Sequence, residues 1–312
     1  MCLNALARRP LPFFSRQMGI GVNPDRESIL NVLTSWLQTR LDPASATWVQ
    51  ERLSAIRSGD KKGLYLAFGL TPRKVGKADL ALTEKEFSAA NSARTGWDPR
   101  GWSVDQAVRT LFVLTFPSQE SASFVTTLDQ LFGTGEVGEL VALYQALPLL
   151  PHPSAHVLRA AEGIRTNIKA VFCAVAHRNP YPSEQFSDDQ WNQMVLKCQF
   201  IGVPMSPIVG LDQRANAPLA IMVNDFIHER WAAKRTVTPE MWRCIGRFAD
   251  RRSLDDLRHV LETGSPTEQQ AAALALNDCP DPDARTILST HTELAGLIAE
   301  HKISWTSIEE IG

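Results

Sequence analysis

The sequence lacks the long apolar run that a membrane-spanning helix needs, and it contains little cysteine. No stretch approaches the roughly 20 consecutive apolar residues that cross a bilayer. The 5 cysteines among 312 residues are far apart and form no CxxC pair, which excludes a zinc ribbon and a thioredoxin-type site. We predict free thiols and a cytoplasmic protein with no transmembrane segment, or one that reaches a membrane only through a partner.

A surplus of positive charge is also missing. The chain has 32 Lys and Arg against 34 Asp and Glu, a net charge of −2. Nucleic-acid binders need excess cations to displace counterions from phosphates, so we predict no nucleic-acid partner. The sequence likewise has no Walker loop, GxSxG or DDxxD motif, and we predict no cofactor.

Strand signals are absent, whereas helix signals recur along the chain. There is no sustained period-two alternation and no Asn-Gly hairpin turn. Capping boxes predict helix starts at four places: Thr83–Glu86, Ser103–Gln106, Ser187–Gln190 and Ser265–Glu268. An N-cap acceptor before an N1 proline predicts further starts: Asp42-Pro43, Thr238-Pro239 and Asp281-Pro282. The fold class is therefore predicted to be all-α.

Helix pairs with Ala/Leu faces, joined by short Pro/Asp/Gly turns, are typical of HEAT-type arrays. We predict an irregular HEAT-like solenoid of antiparallel helix pairs. Residues 1–24 contain three prolines and no period, which indicates a flexible leader, and residues 25–312 are predicted to form a single helical-repeat domain. A subdivision near residues 133–150 and a start at Met18 in place of Met1 stay open, and Pro72–Gly76 is predicted to be a basic loop.

One predicted helix face carries two carboxylates and an imidazole. Asp225, His228 and Glu229 are spaced i, i+3 and i+4, so they share a face. They suit a metal half-site or an acid/base pair, for which a further ligand from His177 or Asp212 is required. The alternative is an ion-pair network with the neighbouring cations, Arg230 and Lys234.

A cationic edge and a proline-fixed loop precede that face. Arg165 and Lys169 are predicted to lie on one helix, where they would clamp a carboxylate or phosphate, or form a solvated edge. His177 follows at the helix end, and two prolines hold Asn179 and Tyr181. That loop suits either a pocket wall or a structural corner.

The next helix is apolar nearly all round, which is typical of an inner helix. Its polar residues Asn192 and Lys197 need partners if they are buried. We expect Asp212 and Arg214 from the following loop to supply them. Such a cluster is either a ligand site or an internal polar network that holds helices in register.

Four strings in this region resemble the EboA family: Asn179-Pro-Tyr-Pro182, Trp191-Asn-Gln-Met-Val-Leu-Lys197, His228-Glu-Arg-Trp-Ala-Ala233 and Thr238-Pro-Glu-Met-Trp242. The resemblance extends roughly from Ile29 to the C-terminus. It implies a metabolite-traffic protein, acting in the synthesis or movement of a secondary metabolite with other proteins of the ebo operon. It carries no catalytic residues to this chain.

Two functions are expected from these patterns. The first is a non-catalytic helical-repeat protein that binds a metabolite or a partner enzyme in a metal-free groove on its concave face. That groove would be lined by Arg165, Tyr181, Lys197, Arg214 and Trp231. The alternative is an all-α enzyme that uses Asp225, His228 and Glu229, with or without a divalent ion.

Overall fold

A computed structural model describes residues 25–311 of the chain, and the predicted leader at residues 1–24 lies outside the described residues. Within this range the chain forms eighteen α-helices, three short 3₁₀ helices and no strand. The predicted all-α class is confirmed. None of the helices between residues 25 and 311 has both the length and the apolar content to cross a membrane.

The helices are numbered in chain order. The first half contains α1 (Arg26–Gln38), α2 (Pro43–Arg57), α3 (Lys61–Val75), α4 (Glu84–Ala93), α5 (Val104–Thr115), α6 (Ser121–Thr134), α7 (Val137–Ala146), η1 (Leu147–Leu149), η2 (Pro153–His156) and α8 (Val157–Arg165). The second half contains α9 (Lys169–Ala176), α10 (Tyr181–Gln185), α11 (Asp188–Ile201), α12 (Ala217–Ala232), α13 (Met241–Ile245), η3 (Gly246–Phe248), α14 (Arg251–Thr263), α15 (Pro266–Asp278), α16 (Pro282–Ser289), α17 (Thr292–Ala299) and α18 (Trp305–Ile311).

Helix α5 is the inner helix of the N-terminal half. All of its residues except Gln106 are buried, as expected for a helix that is apolar on most of its circumference. It packs against α1, α2, α3 and α7, and α7 in turn packs against α9. The HEAT-like ordering of the helices remains a prediction.

Helix α3 continues through a proline. The sequence predicted a loop over Pro72–Gly76, but the helix runs to Val75. Pro72 has no N–H to give to the carbonyl of Phe68 one turn earlier. Arg109 of α5 takes that place, because its Nε donates to the Phe68 oxygen at 3.0 Å. A side chain 41 residues away therefore satisfies the carbonyl that the proline leaves without a donor.

Local start signals were accurate where the polar partner is close in sequence. All four predicted capping boxes are present, and Asp42 and Asp281 cap α2 and α16 as predicted. The start predicted at Thr238–Pro239 is wrong, because α13 begins at Met241. The Thr238 hydroxyl donates instead to the side-chain oxygen of Gln199 on α11.

The C-terminal helices join the rest of the chain through a close backbone contact. Helix α15 packs against α13 and η3, and its central alanines are buried. At Gly246 an added Cβ would lie 2.5 Å from the carbonyl oxygen of Ala275. Only glycine fits at this position without moving α15, because real Cβ atoms do not approach a backbone atom so closely.

Candidate functional site

A pocket lies between the loop that joins α4 to α5 and the C-terminal end of α9. Its volume is about 140 Å³. A more open groove of about 330 Å³ shares Asp98 and Arg178 with it. Small-molecule sites usually measure roughly 300–1,000 Å³, so pocket and groove together suit a small ligand with one compact buried end. The pocket is lined by Trp97, Asp98, Arg100, Trp102, Gln145, Ala170, Cys173, Ala174, His177, Arg178 and Asn179.

The α4–α5 loop brings two indole rings to the pocket. It turns at Gly96, whose φ of 79° lies in the left-handed region and whose N–H donates to Asn91 Oδ1 at 2.8 Å. A Cβ on Gly96 would approach the Cβ of Pro180 to 3.3 Å, so glycine suits both the turn and the close approach. Trp97 and Trp102 follow, both buried, with ring centroids 6.1 Å apart.

The opposite wall is fixed by a short backbone bridge. His177 pairs with Ile208 as an isolated antiparallel bridge, and its Nε2 lies 2.9 Å from the carbonyl oxygen of Pro204. The next residue, Arg178, donates its backbone N–H to the Pro207 oxygen at 2.8 Å. Arg178 has a φ of 50°, which costs a non-glycine residue about 1–2 kcal/mol. The surrounding contacts therefore hold this arginine at the rim against a local backbone preference.

Among the described residues, two polar atoms of the pocket-lining side chains have no partner. Trp97 is 3% exposed, and neither its indole Nε1 nor the amide Oε1 of Gln145 has a hydrogen-bond partner within residues 25–311. Leaving a buried donor or acceptor unpaired costs roughly 1–3 kcal/mol. One is a donor only and the other an acceptor only. The indole therefore lacks an acceptor, and the amide oxygen lacks a donor, among the described residues.

The rim of the pocket carries two cations and one anion. Arg100 Nη1 donates to Asp98 Oδ2 at 2.8 Å, and the Arg178 Nε lies 3.7 Å from the same oxygen. The Arg100 guanidinium also lies over the ring of Phe87 at 4.8 Å. Because one carboxylate faces two guanidinium groups, the rim has an excess of one positive charge.

The titratable groups inside the pocket favour their neutral forms. Burial lowers the pKa of His177, and the nearby Arg178 charge lowers it further. Burial raises the pKa of the Cys173 thiol, with Lys169 acting in the opposite direction. A protonated thiol is a weak nucleophile, so the arrangement is suited to non-covalent binding.

A comparison with known protein families found a match that includes the whole region around this pocket. The family model described as "Metabolite traffic protein EboA" matches residues 29–246 of the 312-residue chain. The chain belongs to the EboA family. All the lining residues of the pocket fall within the matched EboA segment. Searches of curated proteins and of solved structures returned no match.

The predicted cationic edge of this EboA chain is divided between two helices. Helix α8 ends at Arg165 and α9 begins at Lys169, so the expectation of one continuous helix is wrong. Thr166 adopts an extended backbone, and its hydroxyl oxygen accepts the Ile168 N–H at 3.1 Å. Such a turn competes with helix formation. Lys169 Nζ donates to the carbonyl of Gly202 at 3.3 Å.

The family string Asn179-Pro-Tyr-Pro182 forms a structural corner. Asn179 Nδ2 donates to the carbonyls of Tyr144 and Ala174, and Asn179 Oδ1 accepts the Tyr181 N–H at 3.0 Å. Tyr181 is 0% exposed, and its hydroxyl donates to the Pro153 carbonyl at 2.5 Å. Burial raises the pKa of Tyr181. Asn179 thus lines the pocket with an amide already paired internally, and Tyr181 is fully buried.

The polar residues of α11 have partners other than those expected. Asn192 exchanges two hydrogen bonds with Asn216, the N-cap of α12, at 2.8 and 3.1 Å. Lys197 Nζ lies 6.0 Å from the ring centroid of Phe172, and burial lowers its pKa. The expectation that Asp212 and Arg214 pair with Asn192 and Lys197 is therefore wrong.

Asp212 and Arg214 are held by other elements of the EboA segment. The Asp212 carboxylate accepts two hydrogen bonds from Arg243 at 2.8 Å, which lower its pKa. Arg214 donates to three carbonyls around α10 and to Asp188 at 2.8 Å, and it lies over the Trp191 ring. Both side chains connect the loop before α12 to neighbouring helices.

The acid and histidine face of α12 is turned towards α14. Asp225 accepts from Arg252 at 2.7 Å, and His228 Nε2 lies 2.8 Å from Asp256 Oδ2. The ion pairs thus run to α14, whereas the sequence indicated Arg230 and Lys234. Glu229 is exposed. Within the described part of the chain, no cluster of three or more His, Cys, Asp or Glu side chains is placed to hold a metal ion.

Trp231, the last predicted site residue, packs among aromatic rings. Its ring centroid lies 5.3 Å from that of His228, 5.9 Å from that of His259 and 6.0 Å from that of Trp242. It contributes to the interface of α12 with α13 and α14. Of the predicted site residues, the structure brings only His177 and Asn179 to the pocket.

The residues that give the pocket its character were missed by sequence reasoning. Trp97, Asp98, Arg100 and Gln145 carry the indole donor, the rim charges and the unpaired amide oxygen. The loop in which Gly96 and Gly101 are each followed by a tryptophan was the available signal. Gln145 lies on α7, 48 residues from Trp97, and nothing local marks it.

Two histidines of this EboA chain, one buried and one half-buried, predict a loss of stability in mild acid. Burial lowers the pKa of both His156 and His177 below 6.5. The unfolded chain therefore binds more protons below about pH 6.5, so the stability present above that value falls as pH falls, by up to about 1.4 kcal/mol per pH unit for each histidine.

Urea unfolding at pH 7 and pH 5.5 measures this effect. His156→Gln, which keeps a donor for the Pro151 carbonyl, is expected to reduce the pH dependence, whereas the exposed control His301→Gln retains it. Equal stability of the unmodified chain at the two pH values would contradict the prediction.

Proposed function

We propose that this EboA-family protein acts in metabolite traffic by binding a small polar molecule, without covalent chemistry, in the pocket between Trp97 and Gln145. The single observation that carries the proposal is that two residues lining one pocket, Trp97 and Gln145, each have a buried polar atom with no partner among the described residues. Such atoms are costly in an empty site and favourable in an occupied one.

The family description supports a traffic role, and the pocket supplies a place for the cargo. We place the protein in the cytoplasm, where it passes a secondary metabolite between other proteins of the ebo operon. A HEAT-like order of helix pairs would present one face to such a partner. We assign no enzyme activity to the α12 face, because Asp225 pairs with Arg252 and His228 pairs with Asp256.

A stability and binding experiment with Gln145→Met tests the proposal. Met has a similar length and no carbonyl, so it removes an unpaired buried acceptor. The ligand-free variant is expected to be as stable as the unmodified protein or about 1 kcal/mol more stable. The same variant is expected to lose the small molecule. This combination of retained stability and lost binding distinguishes a ligand site from a structural residue.

The ligand is identified by purifying the protein from its native host and analysing the molecules released on denaturation by mass spectrometry. A molecule found with the unmodified protein and with the exposed control Gln193→Met, but not with Gln145→Met, supports the proposal. Equal recovery from all three proteins, or no molecule from any of them, overturns it.

A further inference from the structure

The rim of the pocket and its interior select for different chemical groups, and together they define a ligand class. Asp98 is the only acid among the lining residues of the pocket, and it faces Arg100 and Arg178. Two of the lining residues also have a buried polar atom without a partner within residues 25–311: Trp97 Nε1, a donor, and Gln145 Oε1, an acceptor. These groups limit the chemical class of the molecule that the pocket can bind. The assignment of that class rests on the proposed function.

Arg178 is the cation with unused binding capacity. Its Nε is 3.7 Å from Asp98 Oδ2, too long for a hydrogen bond, and its guanidinium has no acceptor within residues 25–311. Arg100, by contrast, is held by Asp98 at 2.8 Å and by the face of Phe87. A planar guanidinium with free N–H groups is the group that binds carboxylate or phosphate through two parallel hydrogen bonds.

The interior excludes purely apolar and purely acceptor-bearing groups. An apolar group would leave both Trp97 Nε1 and Gln145 Oε1 unpaired. A hydroxyl can accept, as the indole N–H requires, and donate, as the amide oxygen requires. The pocket volume of about 140 Å³ limits the buried end to a few heavy atoms. The charged end then lies at the rim, where the open groove begins.

We propose that the pocket binds a small hydroxylated anion, with its hydroxyl between Trp97 and Gln145 and its carboxylate or phosphate on Arg178. In this arrangement Asp98 competes with the anion for the two guanidinium groups. Its carboxylate occupies the space between the two guanidinium groups and repels the charge of the incoming anion. Asp98 holds the empty rim together and weakens binding, which allows the ligand to be released as well as taken up.

In this arrangement, removing the negative charge of Asp98 is expected to tighten the binding of an anion. In the unmodified chain, Asp98 Oδ1 accepts the Arg100 backbone N–H at 3.2 Å. Asp98→Asn keeps this oxygen and removes the negative charge. It is expected to tighten the binding of an anion about tenfold. Arg178→Asn is expected to weaken it about tenfold. Asn is tolerated at the positive φ of this position, so the variant should fold.

Calorimetric titration of the full chain tests the proposal with glycerate and glycerol 3-phosphate as probes. Glycerol, propionate and inorganic phosphate serve as comparison compounds that lack either the charge or the hydroxyl. The controls Asp283→Asn and Arg285→Asn change the same charges on exposed positions of α16. Both controls are expected to bind the probes as the unmodified chain does.

Tighter probe binding by Asp98→Asn and weaker binding by Arg178→Asn, with glycerol and propionate at least tenfold weaker than glycerate, supports the proposal. Probe binding that is unchanged or weaker in Asp98→Asn overturns it, and so does the absence of binding by either probe. Inorganic phosphate or propionate bound as tightly as the probes overturns the assignment of the hydroxyl. A neutral or cationic molecule released from the native protein but absent from Gln145→Met would retain the proposed function and overturn only the anion assignment.

Discussion

Replacing Arg109 by methionine is expected to destabilise the protein by about 3–5 kcal/mol, the typical result of removing one partner of a buried ion pair. Arg109 and Asp105 are 3% and 4% exposed, and Arg109 Nη1 donates to Asp105 Oδ2 at 2.7 Å. Without the guanidinium, the Asp105 carboxylate is buried with no counter-charge. The Phe68 carbonyl also loses its donor, which Pro72 cannot replace.

The double variant Asp105→Leu with Arg109→Met separates the effect of losing the ion pair from the effect of burying a single unpaired charge. Replacing both partners by apolar residues removes the uncompensated carboxylate, so the double variant is expected to be more stable than Arg109→Met alone. Urea unfolding at pH 7 measures both. A loss below about 1 kcal/mol in the single variant would show that water or relaxation stabilises the carboxylate.

The second large effect is expected at Asn179, where Leu should reduce the free energy of unfolding by about 2–3 kcal/mol. Leu has a similar volume, so the loss comes from the hydrogen bonds and not from a cavity. The amide is 3% exposed and pairs with the carbonyls of Tyr144 and Ala174 and with the Tyr181 N–H. The Ala174 carbonyl and the Tyr181 N–H would lose the partner they have here, and the Tyr144 carbonyl would keep only the Leu147 N–H.

Asn167→Leu is the matched control, because Asn167 is exposed between α8 and α9. Its stability is expected to stay within about 0.5 kcal/mol of the unmodified protein. Thermal and urea unfolding of both variants give the comparison. If Asn179→Leu unfolds like the control, Asn179 is free to act in binding, and its place in the structural corner must be revised.

The sequence predicted those features of the fold that depend on neighbours within one helical turn. The box of Thr83 with Glu86 closes over three residues, and it is present as predicted. Thr238 carries the same kind of signal, but its hydroxyl bonds to Gln199, 39 residues away, and the helix starts later. Pro72 is the reverse case, since a distant arginine allows a helix where local rules indicate its end.

The site was harder to predict because part of its character is a missing contact. A polar side chain in a sequence indicates that a partner is needed, and it does not show whether the folded chain supplies one. Asn192 and Arg214 found partners within the protein, and Trp97 and Gln145 did not among the described residues. That difference depends on the placement of α7 against the α4–α5 loop, which no local pattern encodes.

The glycine at position 246 bears on how the chain can be divided. The family match ends at that residue, yet its backbone lies against Ala275 so closely that a methyl group would not fit. The limit of sequence similarity thus coincides with a backbone-to-backbone interface. Anyone who expresses the matched segment alone, or grafts the C-terminal helices onto another protein, would have to replace this backbone contact as well as side-chain contacts such as that of Asp225 with Arg252.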